Sequence, residues 1–165
     1  GHVTVANALG SGLLQSPAFL AFLPGLCRHI LGEELKLPSV ATWWCGQKTA
    51  EGYVGGHLDE LFVKPAFRTH HRGMPAEGGM TVMERERLLR RIRFQPHLWV
   101  GQEWVRLSTT PALTADGLVP RPVGLRSYLV ATRDGYRALA GGLSRVAPEA
   151  DGRSISMQRG GSSKD

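Results

Sequence analysis

Short apolar runs alternate with helical patterns along the first two thirds of the chain. Runs rich in β-branched and aromatic residues predict strands, at residues 3–6, 37–44, 61–64 and 98–105. Apolar residues spaced three and four apart predict helices between them, at residues 17–31, 49–58 and 81–94. The sequence therefore predicts the element order β-α-β-α-β-α-β.

Proline and glycine mark where these elements start and stop. Ser16-Pro17 is typical of a helix start, Gly32 of a helix end, and Pro24 should kink or divide the helix between them. Asp134-Gly135 predicts a hairpin turn. We expect residues 107–120 to be irregular and residues 154–157 to form a last strand.

The composition is typical of a globular protein, and its net positive charge favours binding of anions. A length of 165 residues with 42% hydrophobic residues is enough for one domain with a real core. The formal net charge of +6 favours an anionic partner, but it does not distinguish a nucleotide from a nucleic acid or a membrane surface.

The two cysteines and the hydropathy pattern indicate a compartment. Cys27 and Cys45 lack the spacing of a zinc site or a disulfide framework, so we expect a reducing cytoplasm. No apolar run reaches the roughly 18 residues of a membrane helix, and no charged-then-apolar leader begins the chain. We therefore expect no membrane partner.

Lys64 is the strongest single candidate for binding chemistry. It ends the apolar run Leu61-Phe-Val-Lys64, and a flexible ammonium at a strand end can reach a nucleotide phosphate. The alternative is a surface lysine that leaves a sheet.

A second strand end could bind a base. The residues Gln102, Glu103, Trp104 and Val105 could supply a main-chain carbonyl and amide to an adenine edge, with the aromatic ring closing the pocket. The alternative is an edge strand with one wet face, and the residues alone do not decide between the two.

Arg126 stands alone among apolar neighbours on an apparent central strand. An unpaired guanidinium would be expensive there, so the pattern predicts an anion beside it, either a buried carboxylate or a phosphate. Arg121 and Arg145 follow the same logic more weakly and are expected to be surface charges.

Eight separated blocks resemble the circularly permuted type 2 ATP-grasp family and appear in that family's order. They include Val-Ala-Asn-Ala-Leu-Gly-Ser-Gly (5–12), Val-Lys-Pro-Ala-Phe (63–67), Arg-Pro-Val-Gly-Leu-Arg (121–126) and Ser-Met-Gln-Arg-Gly-Gly-Ser-Ser-Lys-Asp (156–165). The resemblance covers nearly the whole chain. Since complete members of the family are much longer, the chain resembles their C-terminal part.

The resemblance implies an α+β, ATP-grasp core fragment with α/β-like order, in which a mixed or antiparallel sheet carries flanking helices. It also implies an enzyme of the carboxylate–amine ligase type, similar to glutathionylspermidine synthetases, that uses ATP and Mg²⁺ and passes through an acyl phosphate. Its partners would be ATP, a carboxylate, an amine and the rest of the parent polypeptide. By motif, Lys64 would contact the ATP phosphates, Gln102 and Glu103 with their neighbours would hold adenine, and Arg126 would face phosphate or acyl phosphate.

The chain departs from the family pattern at two places. A basic segment, residues 68–73, stands where many members have a glycine-rich loop, so Arg72 would replace the glycine amides at the phosphates. Near the C-terminus, Gln158 and Asp165 are the residues that could coordinate Mg²⁺. Two alternatives follow: a degenerate ATP-grasp scaffold without turnover, or a basic nucleic-acid-binding module, which the lack of interleaved aromatic residues disfavours.

The chain ends suggest a fragment with two approximate sub-lobes. The chain starts without methionine and stops just past a glycine pair, which is typical of a piece of a longer protein. We expect one ATP-grasp fragment over residues 1–165, with sub-lobes at 1–60 and 61–165.

Overall fold

The computed structural model of the protein describes residues 2–3, 5–7, 9–67, 80–149 and 162–164. Its α-helices are α1 (Leu23–Leu31), α2 (Lys48–Gly56) and α3 (Val82–Phe94). Its strands are β1 (Thr42–Trp44), β2 (Leu61–Pro65), β3 (Trp99–Glu103), β4 (Thr109–Thr114), β5 (Gly117–Arg126), β6 (Leu129–Thr132), β7 (Gly135–Ala138), β8 (Leu143–Val146) and β9 (Ser162–Lys164). These helices and antiparallel strands confirm the α+β class.

The chain divides into two compact units, Gly1–Trp104 and Val105–Asp165. The sequence placed an approximate boundary at residue 60. In the structure, β3 pairs with both β1 and β2, which ties the residues on either side of position 60 into one sheet.

The first unit is built on a three-stranded antiparallel sheet in the order β1-β3-β2. Because side chains alternate between the two faces of a strand, the pairing of Thr42 with Gln102 and of Gln102 with Phe62 places these three residues in one row. The strands predicted at 61–64 and 98–105 are confirmed, each within two residues of its predicted ends.

Helices α2 and α3 cover one face of this sheet, here called the helix side. Val54 of α2 and Leu88 and Ile92 of α3 are buried against Leu61 and Val63 of β2. Both helices present these residues at the spacing of one helical face, which is why the periodic pattern predicted them.

Gly101 in the central strand allows α2 to approach the sheet closely. A Cβ atom at this position would lie 2.6 Å from Val54 Cγ2 and 3.1 Å from Leu61 Cδ1. Glycine is therefore required by packing here, because any side chain would overlap the core.

A smaller cluster lies on the other face of the sheet, here called the open side. Val100 and Ala66 pack there with Ala18, and Trp44 is half-buried beside them. The Ser16 hydroxyl donates a 2.7 Å hydrogen bond to the Ala66 carbonyl, which anchors the short 3₁₀ helix Pro17–Ala21 to the end of β2.

The helix ends follow the sequence signals. Thr81 caps α3 through a capping box, since its backbone N–H donates to the Glu84 carboxylate at 2.9 Å and its hydroxyl oxygen accepts from the Glu84 N–H at 3.3 Å. Gly32 ends α1 with a φ of +69°. The predicted division near Pro24 is also present, because α1 begins at Leu23 after two 3₁₀ turns.

The second unit consists of a four-stranded antiparallel sheet, β4-β5-β8-β9, and the hairpin β6-β7. The hairpin turns at Gly135, with a φ of +116°, as Asp134-Gly135 predicted. The expectation that residues 107–120 are irregular is wrong, because β4 and the first part of β5 form a regular ladder there.

The structure does not confirm the strands predicted at residues 3–6 and 154–157. The predicted strand at 3–6 is wrong where the structure describes it: Val3 and Val5 are exposed and belong to no strand, since no partner strand pairs with them. The strand predicted at 154–157 lies outside the described residues. In the part of the chain that the structure describes, no helix is long and apolar enough to cross a membrane.

Candidate functional site

The open side of the first sheet brings polar side chains from all three strands together. Thr42 of β1 and Gln102 of β3 are register partners, and Phe62 of β2 completes their row. Lys64 lies two residues beyond Phe62, so its side chain leaves the same face of β2. The predicted phosphate-binding lysine and the predicted base-binding glutamine therefore share one site.

These side chains form a continuous chain of hydrogen bonds. The Lys64 ammonium donates to Gln102 Oε1 at 2.6 Å, and Gln102 Nε2 donates to Thr42 Oγ1 at 3.0 Å. The Thr42 hydroxyl donates in turn to the Val40 carbonyl at 2.9 Å. This series of hydrogen bonds holds the Lys64 ammonium in place through a neutral partner, the Gln102 amide.

The surroundings of Lys64 are partly apolar. Its side chain is half-buried, and its Nζ atom lies 5.7 Å from the centroid of the Phe62 ring. Burial lowers the pKa of the Lys64 ammonium from its ordinary value. No carboxylate in the described part of the chain forms an ion pair with it. Among the described residues, the site thus holds a partly desolvated cation without a counter-charge.

The other residues predicted to bind a base follow Gln102 in sequence and differ in their surroundings. The Trp104 ring packs on Phe62, with centroids 5.1 Å apart. Glu103 is exposed at the end of β3, and its backbone N–H already donates to the Ala41 carbonyl at 2.9 Å. Val105 is half-exposed and opens the second unit. The Glu103 amide is therefore occupied within the sheet.

Arg126 differs from its sequence-based description. It ends β5, a central strand as expected, but its side chain is exposed, so the predicted burial is wrong. Its apolar neighbours do not cover it because they are exposed themselves, Leu125 at 75% and Leu129 at 67%. Arg126 consequently needs no anion to be stable.

Arg145, expected at the surface, is half-buried in the structure. It lies on β8 opposite Gly124 of β5, and its Nε atom is buried with no hydrogen-bond partner among the described residues. Arg126 lies diagonally across the same ladder. The position of Arg145 opposite Gly124 depends on strand register, which its own sequence neighbours do not reveal.

Three of the predicted site residues lie outside the described residues. They are Arg72, Gln158 and Asp165. Within the described ranges, no group of three or more His, Cys, Asp and Glu side chains is placed to hold a metal ion. The proposed roles of Arg72 at the phosphates and of Gln158 and Asp165 at Mg²⁺ therefore stay predictions.

A separate pocket of about 270 Å³ lies on the helix side of the first unit. Arg91, Phe94 and Trp99 contribute to its lining, and the Arg91 guanidinium lies 4.8 Å from the Trp99 ring centroid. Neither Lys64 nor Gln102 lines it, since both belong to the open side. The pocket is therefore distinct from the hydrogen-bonded cluster of Lys64, Gln102 and Thr42, here called the Lys64 cluster.

Thr42 is the residue of this cluster that sequence reasoning missed. It lies in the extended run 37–44, where a single threonine between apolar residues carries no special signal. Its importance comes from the register that sets it opposite Gln102, and cross-strand register over a separation of 60 residues is not legible from one sequence.

Comparison with known proteins identifies relatives over the whole chain. The sequence model of a family described as circularly permuted ATP-grasp type 2 matches residues 1–147. An uncharacterized protein of Synechocystis is 34% identical over 165 residues, which is all of this chain and 34% of that protein. A Frankia casuarinae protein provisionally named glutamate–cysteine ligase 2-2 is 36% identical over 99% of this chain and 19% of its own length.

The match confirms the resemblance that the eight sequence blocks predicted. A Frankia alni protein provisionally named glutamate–cysteine ligase 2-3 is 34% identical over the whole chain and 19% of its own length. The chain thus spans about a third or less of the length of these relatives.

Proposed function

The chain belongs to the circularly permuted type 2 ATP-grasp family, and on that premise we propose that it is the ATP-binding part of a ligase that joins a carboxylate to an amine. The carboxylate would attack the γ-phosphate of ATP, which gives an acyl phosphate and ADP. The amine would then attack the acyl carbon and release phosphate. The ligase-type names of the two Frankia relatives support this class.

Lys64 carries the proposal. It offers a half-buried ammonium that donates to the neutral Gln102 amide, and no carboxylate among the described residues cancels its charge. Such a cation is suited to a phosphate, because a partly desolvated charge attracts an anion more strongly than a hydrated one. Phosphate would also raise the pKa of Lys64 again, since a nearby negative charge favours the ammonium.

The aromatic residues beside Lys64 suit a nucleotide base. The Phe62 ring lies 5.7 Å from the Lys64 ammonium and packs in turn against the Trp104 ring. A purine could stack on such rings while its phosphates extend toward Lys64. From the family resemblance, we assign recognition of the adenine edge to the main chain around Glu103, whose own N–H donates to the Ala41 carbonyl.

Two further assignments rest on the family resemblance. Arg126 and Arg72 would neutralise the transferred phosphoryl group, which is the main catalytic demand in phosphoryl transfer. Gln158 and Asp165 supply oxygen atoms, the ligand type that Mg²⁺ prefers, and the metal would shield the charge of the phosphates.

ATP affinity of the complete polypeptide tests the proposal. We expect Lys64→Ala to weaken MgATP binding about tenfold or more, as for the loss of one charge-assisted phosphate contact. Lys48→Ala is the matched control, because Lys48 is 91% exposed and pairs with Glu51 at the surface. Isothermal titration calorimetry measures both. Equal affinity in the wild type and Lys64→Ala would remove the central assignment.

A further inference from the structure

The hydrogen bonds between Lys64, Gln102 and Thr42 have a fixed direction. An ammonium can only donate, so it must meet the Oε1 end of the Gln102 amide. The Nε2 end then faces Thr42, whose Oγ1 accepts because its own proton is directed to the Val40 carbonyl. Each group in this series of hydrogen bonds has the donor or acceptor role that its neighbour requires.

The reverse orientation of Gln102 would be unfavourable. It would set the amide NH₂ against the Lys64 ammonium, which places two donors face to face. Thr42 disfavours that orientation because it offers an acceptor on the β1 side. Without the threonine hydroxyl, the Lys64 ammonium is the one described side-chain contact of Gln102 that still selects the orientation of its amide.

From this geometry we infer that Thr42 is a positioning residue for the nucleotide site: through Gln102 it holds the Lys64 ammonium in place on the open side of the sheet. This role rests on the proposed function of Lys64 at the ATP phosphates. It also changes the part assigned to Gln102, whose Oε1 already accepts from Lys64 and whose Nε2 already donates to Thr42. Gln102 acts on the phosphate-binding lysine and leaves the adenine edge to the main chain.

Three substitutions separate this role from a merely structural one. Thr42→Val keeps the β-branched shape and removes the hydroxyl, whereas Thr42→Ser keeps the hydroxyl and removes a methyl group. Gln102→Met keeps the length of the side chain and removes both hydrogen bonds. Thr132→Val is the matched control, since the Thr132 hydroxyl donates to the Gly135 carbonyl at 2.7 Å in the exposed hairpin of the second unit.

The first readout does not involve ATP. Lysine labelled with ¹³C at Cε lets NMR follow the titration of Lys64 in the complete polypeptide, with its signal assigned from Lys64→Arg. Because the bond to Oε1 favours the charged form, we expect Thr42→Val and Gln102→Met to lower the titration midpoint by about half a pH unit or more. Thr42→Ser and Thr132→Val should leave it near the wild-type value.

The second readout is MgATP affinity by calorimetry. We expect Thr42→Val to weaken binding by about 3- to 10-fold and Thr42→Ser to restore it. If neither Thr42→Val nor Gln102→Met moves the Lys64 midpoint, the positioning role is overturned, whatever happens to ATP. If the midpoint moves while Lys64→Ala leaves MgATP affinity unchanged, the coupling of Thr42 to Lys64 stands and the phosphate role of Lys64 fails.

Discussion

The two compact units of the chain are stabilised in different ways. The first unit buries twelve apolar residues at its core, among them Val54, Leu88 and Trp99, whereas the described part of the second unit buries Pro122, Val146 and Ala147. Five leucines of the second unit are exposed, as Leu118 is at 73%. The comparison teaches that side-chain packing specifies the first unit, while strand pairing and turns specify the second.

This difference matters for function because a binding cation needs a rigid support. Lys64 extends from a strand whose alternate residues, Leu61 and Val63, are fixed in the core of the first unit. Arg126 extends from the exposed end of a strand with exposed neighbours. We therefore expect the phosphate-binding geometry to be held mainly by the first unit.

The largest expected effect comes from emptying the core of the first unit. Leu88→Ala should lower its free energy of unfolding by about 2–5 kcal/mol, because it leaves a cavity where a fully buried side chain was. All four tryptophans lie in the first unit, at residues 43, 44, 99 and 104, so their fluorescence in urea follows that unit selectively.

Leu118→Ala in the second unit is the matched comparison. It should change stability by less than about 0.5 kcal/mol, since the side chain is exposed. Hydrogen exchange followed by mass spectrometry reports on β4 and β5. A loss as large as that of Leu88→Ala would contradict the contrast between the units.

A pH effect of similar size should arise from Cys45. Burial, together with the charge of Glu51, raises the pKa of this thiol from 9.0 to about 11. As the pH rises, the Cys45 thiol therefore loses its proton first in the unfolded chain. The stabilising contribution of the buried thiol is fully present below pH 9 and decreases as the pH rises toward 11, by about 3 kcal/mol in total.

The Cys45→Ala variant isolates this contribution. Lys64 acts with the opposite sign, because burial lowers its pKa and so makes folding less favourable while the ammonium is charged. Subtracting the pH dependence of the free energy of unfolding of Cys45→Ala from that of the wild type leaves the contribution of Cys45. A difference that stays constant from pH 8 to pH 11 would show that the thiol is not desolvated in the fold.

A smaller effect tests how closely α2 packs on the sheet. Gly101→Ala should cost about 1–3 kcal/mol, because its Cβ would overlap Val54. Gly52→Ala is the control within α2, where a Cβ meets no atom within 4 Å. It should stabilise the unit by about 0.5–1 kcal/mol through helix propensity. Tryptophan fluorescence in urea measures both, and equal signs would contradict the packing described here.

The elements of the first unit were predictable because their signals are local. Helix α3 combines a capping box at Thr81 with a buried stripe through Leu88 and Ile92, so one segment of sequence contains its start and its buried face. Lys64 was found by its position at a strand end. Its hydrogen-bond partner Gln102 lies 38 residues away, and that contact depends on register, which the sequence does not reveal.

The second unit was harder to predict because its strands contain prolines, which are uncommon in paired strands. Residues 107–120 were expected to be irregular, yet Pro111 and Pro120 lie in the ladder of β4 and β5, as does Pro122. Residues 117–122 of β5 pair with β4, and β8 pairs only from Val123 onward. The prolines of β5 therefore stand where the strand has a partner on one side, which a missing N–H tolerates.

The most direct test of the central claim is chemical labelling of Lys64 from bound ATP. An ATP derivative that carries biotin on its γ-phosphate as an acyl phosphate transfers the acyl group to a lysine amine beside the phosphates, and mass spectrometry of the complete polypeptide locates it. We predict that Lys64 is labelled and that excess MgATP protects it, while exposed Lys48 shows no such protection. Labelling of Lys64 that is absent, or that MgATP does not reduce, would contradict its assignment to the ATP phosphates.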